Sequence, residues 1–225
     1  VEPVLGEGGF VVPPAEYLPR LRALTEKHGI LLIADEVQTG FGRTGKLFAC
    51  EHSGVVPDLL VTSKSIAGGL PLAGVTGKAE VMDAPAVGGL GGTYSGNPVA
   101  LAAAHAVLDA FEDGSLLARA NAVGAAVRSR FEGWKERFPL IGDARGVGAM
   151  WALELVKDRA TKAPAKDETN AVTQKAYERG LLTITAGTYG NVLRTLMPLV
   201  IGDDELREGL DVLEQALGAV PGGRA

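Results

Sequence analysis

The stretch Ile30-Leu31-Leu32-Ile33-Ala34-Asp35 decides the fold, because it is an unbroken apolar run that ends in a carboxylate. Continuous apolar runs are typical of strands that are covered on both faces, as in parallel sheets. A second apolar run covers residues 59–62 and ends at Ser63 and Lys64. Ligands of open α/β sheets bind beyond the carboxyl ends of the strands. We therefore predict that Asp35 and Lys64 face one ligand-binding crevice.

The order of elements predicts an α/β part followed by an α+β part. Asn97 and Pro98 are expected to begin an almost wholly apolar helix, which should be buried. Composition becomes more charged after Gly114, so we place a boundary near residue 115 and predict domains at 1–115 and 116–225. The other expected helices cover residues 16–28, 116–138, 167–179 and a stretch from 203, and further strands cover 147–156, 181–185 and 191–196.

Composition excludes several classes of function. The chain has 225 residues with 22 basic and 27 acidic side chains, a net charge of −5, so neither nucleic acid nor a membrane is expected as a partner. Cys50 is the only cysteine, which excludes an internal disulfide and favours a reducing, cytoplasmic location. The apolar runs are much shorter than the ~20 residues that a membrane helix needs.

Two nucleotide-binding patterns occur in residues 40–47, and both are incomplete. Residues 40–45 match G-x-G-x-x-G, but four residues separate them from the first strand and no acid follows at the expected later strand end. The same glycines and Lys46 resemble a phosphate-binding loop, but Leu47 stands where a hydroxyl is required for Mg²⁺. A loop that needs positive φ angles is the better interpretation. The three histidines and Cys50 lack metal-ligand spacing, so no metal is predicted.

An amine and a carboxylate at neighbouring strand ends suit pyridoxal phosphate. Taken alone, Asp35 would be a loop cap and Lys64 a solvated surface residue. Together, a lysine amine can condense with the cofactor's aldehyde, while a carboxylate keeps the pyridine nitrogen protonated. Hydroxyl and backbone N–H groups of the glycine-rich residues 91–96 are candidates for binding the phosphate.

Three motifs in order resemble those of class III (ω-amino-acid) aminotransferases: residues 33–45, 63–74 and 92–98. The resemblance covers essentially the whole chain and is strongest to bacterial 4-aminobutyrate aminotransferases. It implies the α/β fold type I of PLP-dependent transferases, here the C-terminal part of the large, mainly parallel-sheet domain and a smaller α+β C-terminal domain. Family members are about twice this length and the chain opens mid-protein, so we expect a C-terminal half without catalytic activity of its own.

The resemblance also implies roles for individual residues. Lys64 would bind pyridoxal 5'-phosphate covalently and then move the substrate proton, and Asp35 would pair with the pyridinium nitrogen. Val37 would pack on the ring and Gln38 would hydrogen-bond its phenolic oxygen. Thr93 would bind the phosphate of a neighbouring subunit's cofactor, so a homodimer or a tetramer of dimers is expected.

The substrate expectation rests on the resemblance of residues 1–9 and 191–194 to a substrate-gating pair. Arg194 would grip the α-carboxylate of glutamate or 2-oxoglutarate, and Glu7 would neutralise Arg194 when 4-aminobutyrate is bound. The implied reaction converts 4-aminobutyrate and 2-oxoglutarate to succinate semialdehyde and glutamate. An ornithine, acetylornithine, 5-aminovalerate or diaminobutyrate aminotransferase remains an alternative. So do glutamate-1-semialdehyde aminomutase and an inactive truncated paralogue that serves as a dimerisation module.

Overall fold

A computed structural model describes residues 1–222, which fall into two units. The first unit contains Val1–Val4 and Pro13–Leu117, and the second contains Leu5–Val12 and residues 118–222. The division after Leu117 lies close to the predicted boundary near 115. Residues 5–12, which the sequence analysis placed in the first domain, belong instead to the second unit, because their hydrogen bonds are made there.

The first unit is built on a small three-stranded sheet. Its strands are β1 (Ile33–Asp35), β2 (Leu59–Thr62) and β3 (Gly74–Gly77), and its helices are α1 (Tyr17–Lys27), α2 (Ala79–Met82) and α3 (Pro98–Asp109). β1 and β2 are parallel, with Asp35 opposite Val61. β3 is antiparallel to β2, with Gly74 opposite Thr62. The predicted parallel pair is therefore present.

The first strand is shorter than its apolar run predicts. Only Ile33 and Ala34 of residues 30–34 lie in β1, which ends at Asp35. The backbone of Leu32 makes hydrogen bonds with Asp58 and does not continue the strand ladder. The Leu32 N–H donates to the Asp58 carboxylate at 2.7 Å, and the Asp58 N–H donates to the Leu32 carbonyl at 2.8 Å. An acidic side chain thus takes the place of strand pairing where β1 and β2 begin.

Helix α3 begins as predicted but is not buried. The Asn97 side-chain oxygen accepts hydrogen bonds from the N–H groups of Val99 at 2.9 Å and Ala100 at 3.3 Å, which caps the first turn. Only Ala100 and Ala104 of the helix are buried. Val99 is 66% exposed, so the expectation of a buried helix is wrong for the described residues, which cover one narrow side of it.

The second unit is an antiparallel sheet packed with helices. Its elements are α4 (Ser115–Arg137, which begins in the first unit), β4 (Ile141–Val147), β5 (Met150–Asp158), β6 (Ala163–Pro164), α5 (Lys166–Tyr177), β7 (Ile184–Ala186), β8 (Val192–Arg194) and α6 (Asp203–Gly218). The strand order is β4-β5-β8-β7, and β6 pairs with β5. β4 was not predicted, because its glycines and charges hide the strand pattern.

An apolar core holds the second unit together. Phe131 and Trp134 of α4 lie against each other with ring centroids 5.2 Å apart, and both are almost fully buried. The four leucines predicted to share one face of α6 are all buried: Leu206, Leu210, Leu213 and Leu217. α4 also passes so close to the β4–β5 turn that a side chain at Gly124 would overlap the Gly148 carbonyl. Among residues 1–222, no helix has both the length and the apolar composition needed to cross a bilayer.

Candidate active site

The edge of the first unit's sheet brings the predicted carboxylate and amine to neighbouring strand ends. Asp35 is the last residue of β1, and its ladder partner is Val61 of the parallel strand β2. Lys64 follows β2 by two residues. Because both strands point the same way, Asp35 and Lys64 leave the sheet at the same edge, which is the edge where ligands of α/β sheets bind.

Asp35 is held in place by the backbone that follows it. Its Oδ1 accepts a hydrogen bond from the Val37 N–H at 3.1 Å, and the side chain is half-buried. Val37 and Gln38 are half-buried too, directly after the strand end. The carboxylate is thus held by the short turn that follows the strand.

Lys64 has an unusual backbone conformation. Its φ is +49°, in the left-handed region that side chains other than glycine rarely adopt. It opens a short 3₁₀ turn, Lys64–Ala67, which is followed by the left-handed Gly68. The Ser63 hydroxyl donates to the Leu72 carbonyl at 3.0 Å. The Lys64 side chain is exposed. Non-glycine residues with positive φ concentrate at functional sites, where surrounding structure maintains the strain.

Glu36 organises the loop beside this edge, and the sequence analysis assigned it no role. Its carboxylate is fully buried and accepts hydrogen bonds from the Thr39 hydroxyl, the Ala49 N–H at 2.9 Å and the Cys50 N–H at 2.8 Å. The available signal was an acid directly after an apolar strand with a threonine three residues later. Burial, followed by the negative charge of Glu36, raises the pKa of the Cys50 thiol to about 12, so this thiol stays protonated.

The glycine-rich loop after Glu36 is not a nucleotide-binding motif. Phe41, Gly42 and Gly45 all have positive φ, which agrees with the interpretation as a loop that needs such angles. The Phe41 ring is buried and lies edge-on to Phe48, with centroids 5.8 Å apart. The loop leads into a 3₁₀ turn at Ala49–Ser53, whereas a dinucleotide fingerprint must open an α-helix at its glycines.

Asp58 anchors the opposite ends of the same strands. Its carboxylate is buried and pairs with the Lys78 ammonium at 2.7 Å and the Arg22 guanidinium at 2.7 Å. The Lys78 ammonium, the Leu32 N–H and the Arg22 guanidinium hold the pKa of Asp58 well below its usual range. This cluster fixes the start of the strands whose other ends carry Asp35 and Lys64.

Thr93 lies in a long surface segment. Every residue from 82 to 99 is exposed, and Val87, Leu90 and Tyr94 are among the most exposed apolar side chains of the chain. The predicted role of Thr93 toward a neighbouring subunit's cofactor therefore stays a prediction. Among the described residues, no group of three or more histidine, cysteine or acidic side chains is arranged to hold a metal ion.

Glu7 and Arg194 form an ion pair in the second unit, 187 positions apart in sequence. The Arg194 guanidinium donates to Glu7 Oε1 at 2.9 Å and to Glu7 Oε2 at 3.2 Å, a two-point contact with both carboxylate oxygens. Nη1 also donates to the Gly6 carbonyl at 3.0 Å. The Arg194 side chain is only 4% exposed, whereas that of Glu7 is 76% exposed.

A tight loop carries Glu7 to Arg194. Leu5 and Val11 exchange two backbone hydrogen bonds at 3.0 and 3.1 Å, which closes the loop at its base. Phe10 is fully buried, has a φ of +51°, and its ring centroid lies 5.3 Å from the Arg194 guanidinium carbon. The arginine is therefore packed on an aromatic ring on one side and paired with a carboxylate on another.

Residues 1–217 match the class-III aminotransferase family. The chain belongs to this family. It is 53% identical over 220 residues to the 5-aminovalerate aminotransferase DavT of Pseudomonas putida, covering 98% of this chain and 52% of that protein. It is 53% identical over 215 residues to the 4-aminobutyrate aminotransferase GabT of Escherichia coli, covering 96% and 50%.

A solved structure extends the likeness to the fold. The PLP-bound amine transaminase of an uncultivated Pseudomonas species is 38% identical, with a TM-score of 0.89 over 98% of this chain and 51% of that one. The fold is therefore that of the class-III aminotransferases, as the sequence predicts. The chain spans about half the length of the curated relatives it matches.

The site residues of this class-III chain fit the pyridoxal phosphate that the family implies. The cofactor needs an amine for its aldehyde and a carboxylate for its ring nitrogen. Lys64 and Asp35 provide one of each, from two parallel strands that end at the same edge. The turn that fixes Asp35 and the left-handed backbone of Lys64 are the two local features that support this assignment.

Proposed function

We propose that the complete protein transfers the amino group of an ω-amino acid, 4-aminobutyrate, to 2-oxoglutarate, giving succinate semialdehyde and glutamate. The observation that carries the proposal is the ion pair between exposed Glu7 and buried Arg194. Membership of the class-III family and the position of Asp35 and Lys64 at neighbouring ends of two parallel strands support the reaction type.

The ion pair suits a site that accepts two kinds of substrate. A buried guanidinium needs an anionic partner, because an unpaired buried charge is strongly destabilising. Glutamate and 2-oxoglutarate carry an α-carboxylate that can replace the Glu7 carboxylate on Arg194. A donor such as 4-aminobutyrate has no α-carboxylate, so Glu7 remains on Arg194. The largely exposed Glu7 side chain can exchange between these arrangements without unpacking the arginine.

The other residues would act on the cofactor and on the reacting carbon. Bound pyridoxal phosphate supplies an electron-withdrawing ring that stabilises negative charge on the substrate carbon. Asp35 would accept a hydrogen bond from the ring nitrogen, and the Lys64 amine would take the proton from the carbon that bears the amino group. Val37 would pack on the ring and Gln38 would hydrogen-bond its phenolic oxygen.

We also propose that the active assembly is at least a dimer. The segment from 82 to 99 exposes Val87, Leu90 and Tyr94, and contiguous exposed apolar surface is typical of interaction sites. Thr93 lies in this segment and would reach the phosphate of the neighbouring subunit's cofactor.

A second candidate donor is 5-aminovalerate, one methylene longer than 4-aminobutyrate. It is favoured by the 53% identity to the Pseudomonas putida 5-aminovalerate aminotransferase, which equals the identity to the Escherichia coli 4-aminobutyrate enzyme. Since one methylene changes discrimination only about 10- to 200-fold, both donors should be tested side by side.

The test uses the full-length protein loaded with pyridoxal phosphate. Steady-state rates with 2-oxoglutarate are measured for 4-aminobutyrate, 5-aminovalerate and ornithine as donors. The proposal expects the highest kcat/KM for 4-aminobutyrate, and a strong preference for ornithine would reject it. Arg194→Met should raise the KM for glutamate and for 2-oxoglutarate by roughly 100-fold, because a charged two-point contact is lost.

A further inference from the structure

The Arg145 side chain connects strand β4 to the loop that carries Glu7. Its Nη1 donates to Glu154 Oε2 at 2.6 Å and to Asp143 Oδ2 at 3.2 Å. Its Nε donates to the Gly9 carbonyl at 2.9 Å. The side chain is only 16% exposed. Because a guanidinium carries rigidly spaced donors, one part of it grips the sheet while another holds the loop.

The loop is shaped so that this contact is possible. Gly9 has a φ of +101°, and a side chain there would approach Arg145 Nη2 at 3.1 Å and Val192 at 3.0 Å. Only glycine therefore lets this carbonyl reach the arginine without strain. Two residues earlier, the Glu7 carbonyl accepts a hydrogen bond from the Gly187 N–H at 3.0 Å. The backbone is thus tied down at Glu7 itself and two residues after it.

We infer that Arg145 is a positioning residue that sets donor specificity by holding the loop, so that Glu7 meets Arg194 when the donor lacks an α-carboxylate. This inference rests on the proposed exchange at Arg194. The Glu7 side chain is 76% exposed, so its own packing does little to keep it on Arg194. A fixed backbone confines the carboxylate near its partner and lowers the entropy lost on pairing.

The first test compares the two half-reactions in the full-length holoenzyme. Arg145→Met frees the Gly9 carbonyl and loosens the loop. We expect the KM for 4-aminobutyrate to rise about tenfold relative to the KM for glutamate, within the range of couplings transmitted through packed contacts. The kcat/KM for glutamate should stay within about twofold, because the glutamate α-carboxylate binds Arg194 in place of Glu7. Equal losses in both half-reactions would overturn the inference.

A conservative variant separates positioning from stability. Arg145→Lys keeps a positive charge between Asp143 and Glu154, but its single nitrogen cannot serve the Gly9 carbonyl at the same time. The melting temperature of Arg145→Lys should lie close to that of the unchanged protein. The ratio of the KM for 4-aminobutyrate to the KM for glutamate, called the KM ratio below, should remain raised as in Arg145→Met. If lysine restores the ratio as well, charge alone matters and the inference is wrong.

A matched control tests whether any lost ion pair in this unit has the same effect. Arg130 also bonds two carboxylates, those of Asp211 at 2.5 Å and Glu214 at 2.6 Å, and it lies on α4. Arg130→Met should lower stability without changing the KM ratio. An equal change of the ratio in this variant would show that general destabilisation explains the Arg145 result.

Amide hydrogen exchange gives a readout that does not depend on turnover. In Arg145→Met, the amides of Gly9, Phe10 and Val11 should exchange at least about tenfold faster, because local opening of the loop becomes easier. The Arg130→Met protein should show unchanged exchange in residues 5–12. Unchanged exchange in Arg145→Met would overturn the inference even if that variant is too unstable for kinetics.

Glu7→Gln distinguishes failure of this inference from failure of the proposed function. If Glu7→Gln shifts the KM ratio and Arg145→Met does not, the proposed exchange at Arg194 stands and Arg145 does not position Glu7. If Glu7→Gln leaves the ratio unchanged, the proposed exchange at Arg194 fails and the inference fails with it. A shift of the KM ratio in the same direction in both variants supports the proposed function and the positioning role of Arg145.

Discussion

The first unit presents Lys64 on an exposed turn, whereas the second unit holds Arg194 beneath the carboxylate of Glu7. Around Asp35 and Lys64, short turns and single hydrogen bonds fix the local conformation. Around Arg194, an aromatic ring, two carboxylate oxygens and a carbonyl are already in place. The surroundings of Arg194 are therefore supplied by residues of this chain, whereas around Lys64 the chain supplies only the local backbone conformation.

The same contrast holds for the cores. The second unit has a continuous apolar core that includes Phe131, Trp134 and Leu153. The first unit leaves Ile33 of β1 42% exposed and Val75 of β3 50% exposed. Strand faces of this kind are normally covered in a working protein. The comparison teaches that a backbone feature, the left-handed conformation of Lys64, can draw attention to a candidate residue even in a unit that leaves its strand faces exposed.

The largest expected effect concerns Lys64, the exposed candidate residue of the first unit. Lys64→Ala in the full-length protein should lower kcat by at least about 10³-fold, because it removes the amine that we propose transfers the substrate proton. Trapping of the cofactor by borohydride should also be abolished, and mass spectrometry would detect this. Lys27→Ala, which changes another exposed lysine of the first unit, should leave both unchanged. Turnover in the Lys64 variant near that of the parent would contradict the proposed role.

A second prediction tests the completeness of the second unit's core. Leu153 is fully buried in β5, so Leu153→Ala should lower the free energy of unfolding by about 3 kcal/mol. Leu182→Ala, at a side chain that is 80% exposed, should change it by no more than about 0.5 kcal/mol. Hydrogen exchange of the β5 amides in the full-length protein measures both. Similar values for the two variants would mean that the core is looser than described.

The smallest effect concerns the polar anchor of the first unit and depends on pH. The pKa of Asp58 is lowered in the folded state, so its contribution to stability is present above its unfolded pKa of about 3.9 and is lost as pH falls below that value. Asp58→Asn should lower the free energy of unfolding by about 2 kcal/mol at pH 7, since buried charged contacts are lost.

The difference between the Asp58→Asn variant and the parent should shrink as the pH drops from about 5 toward 2. Urea unfolding at several pH values follows this change. Asp83→Asn, at an exposed position of the same unit, serves as the control and should show no such convergence. A constant difference across the whole pH range would show that the Asp58 charge does not stabilise the unit.

Much of the architecture follows from local sequence signals. The cap at Asn97 and the leucine face of α6 are local patterns, and both are confirmed. β4 was missed because Gly142, Gly146 and its charged residues break the alternation of a strand, and its existence depends on pairing with β5. Pairing is non-local, so a sequence window cannot reveal it.

The site was predicted unevenly for a similar reason. Asp35 and Lys64 could be proposed from the sequence because each stands at or just after the end of an apolar run. The ion pair of Glu7 and Arg194 was expected from resemblance, since the two positions are 187 residues apart. For Glu36 the sequence offered only a local signal, the threonine three residues later, because its other two hydrogen-bond donors are backbone N–H groups 13 and 14 positions away.

The close passage of α4 over the β4–β5 turn has a consequence for engineering. Gly124 has no room for even a methyl group, because the Gly148 carbonyl occupies that space. The same hairpin carries Arg145, so widening the gap would disturb the strand from which the Glu7 loop is held. Mutant libraries of this unit should therefore keep glycine at position 124 and place variation at exposed positions such as Leu182 or Tyr189.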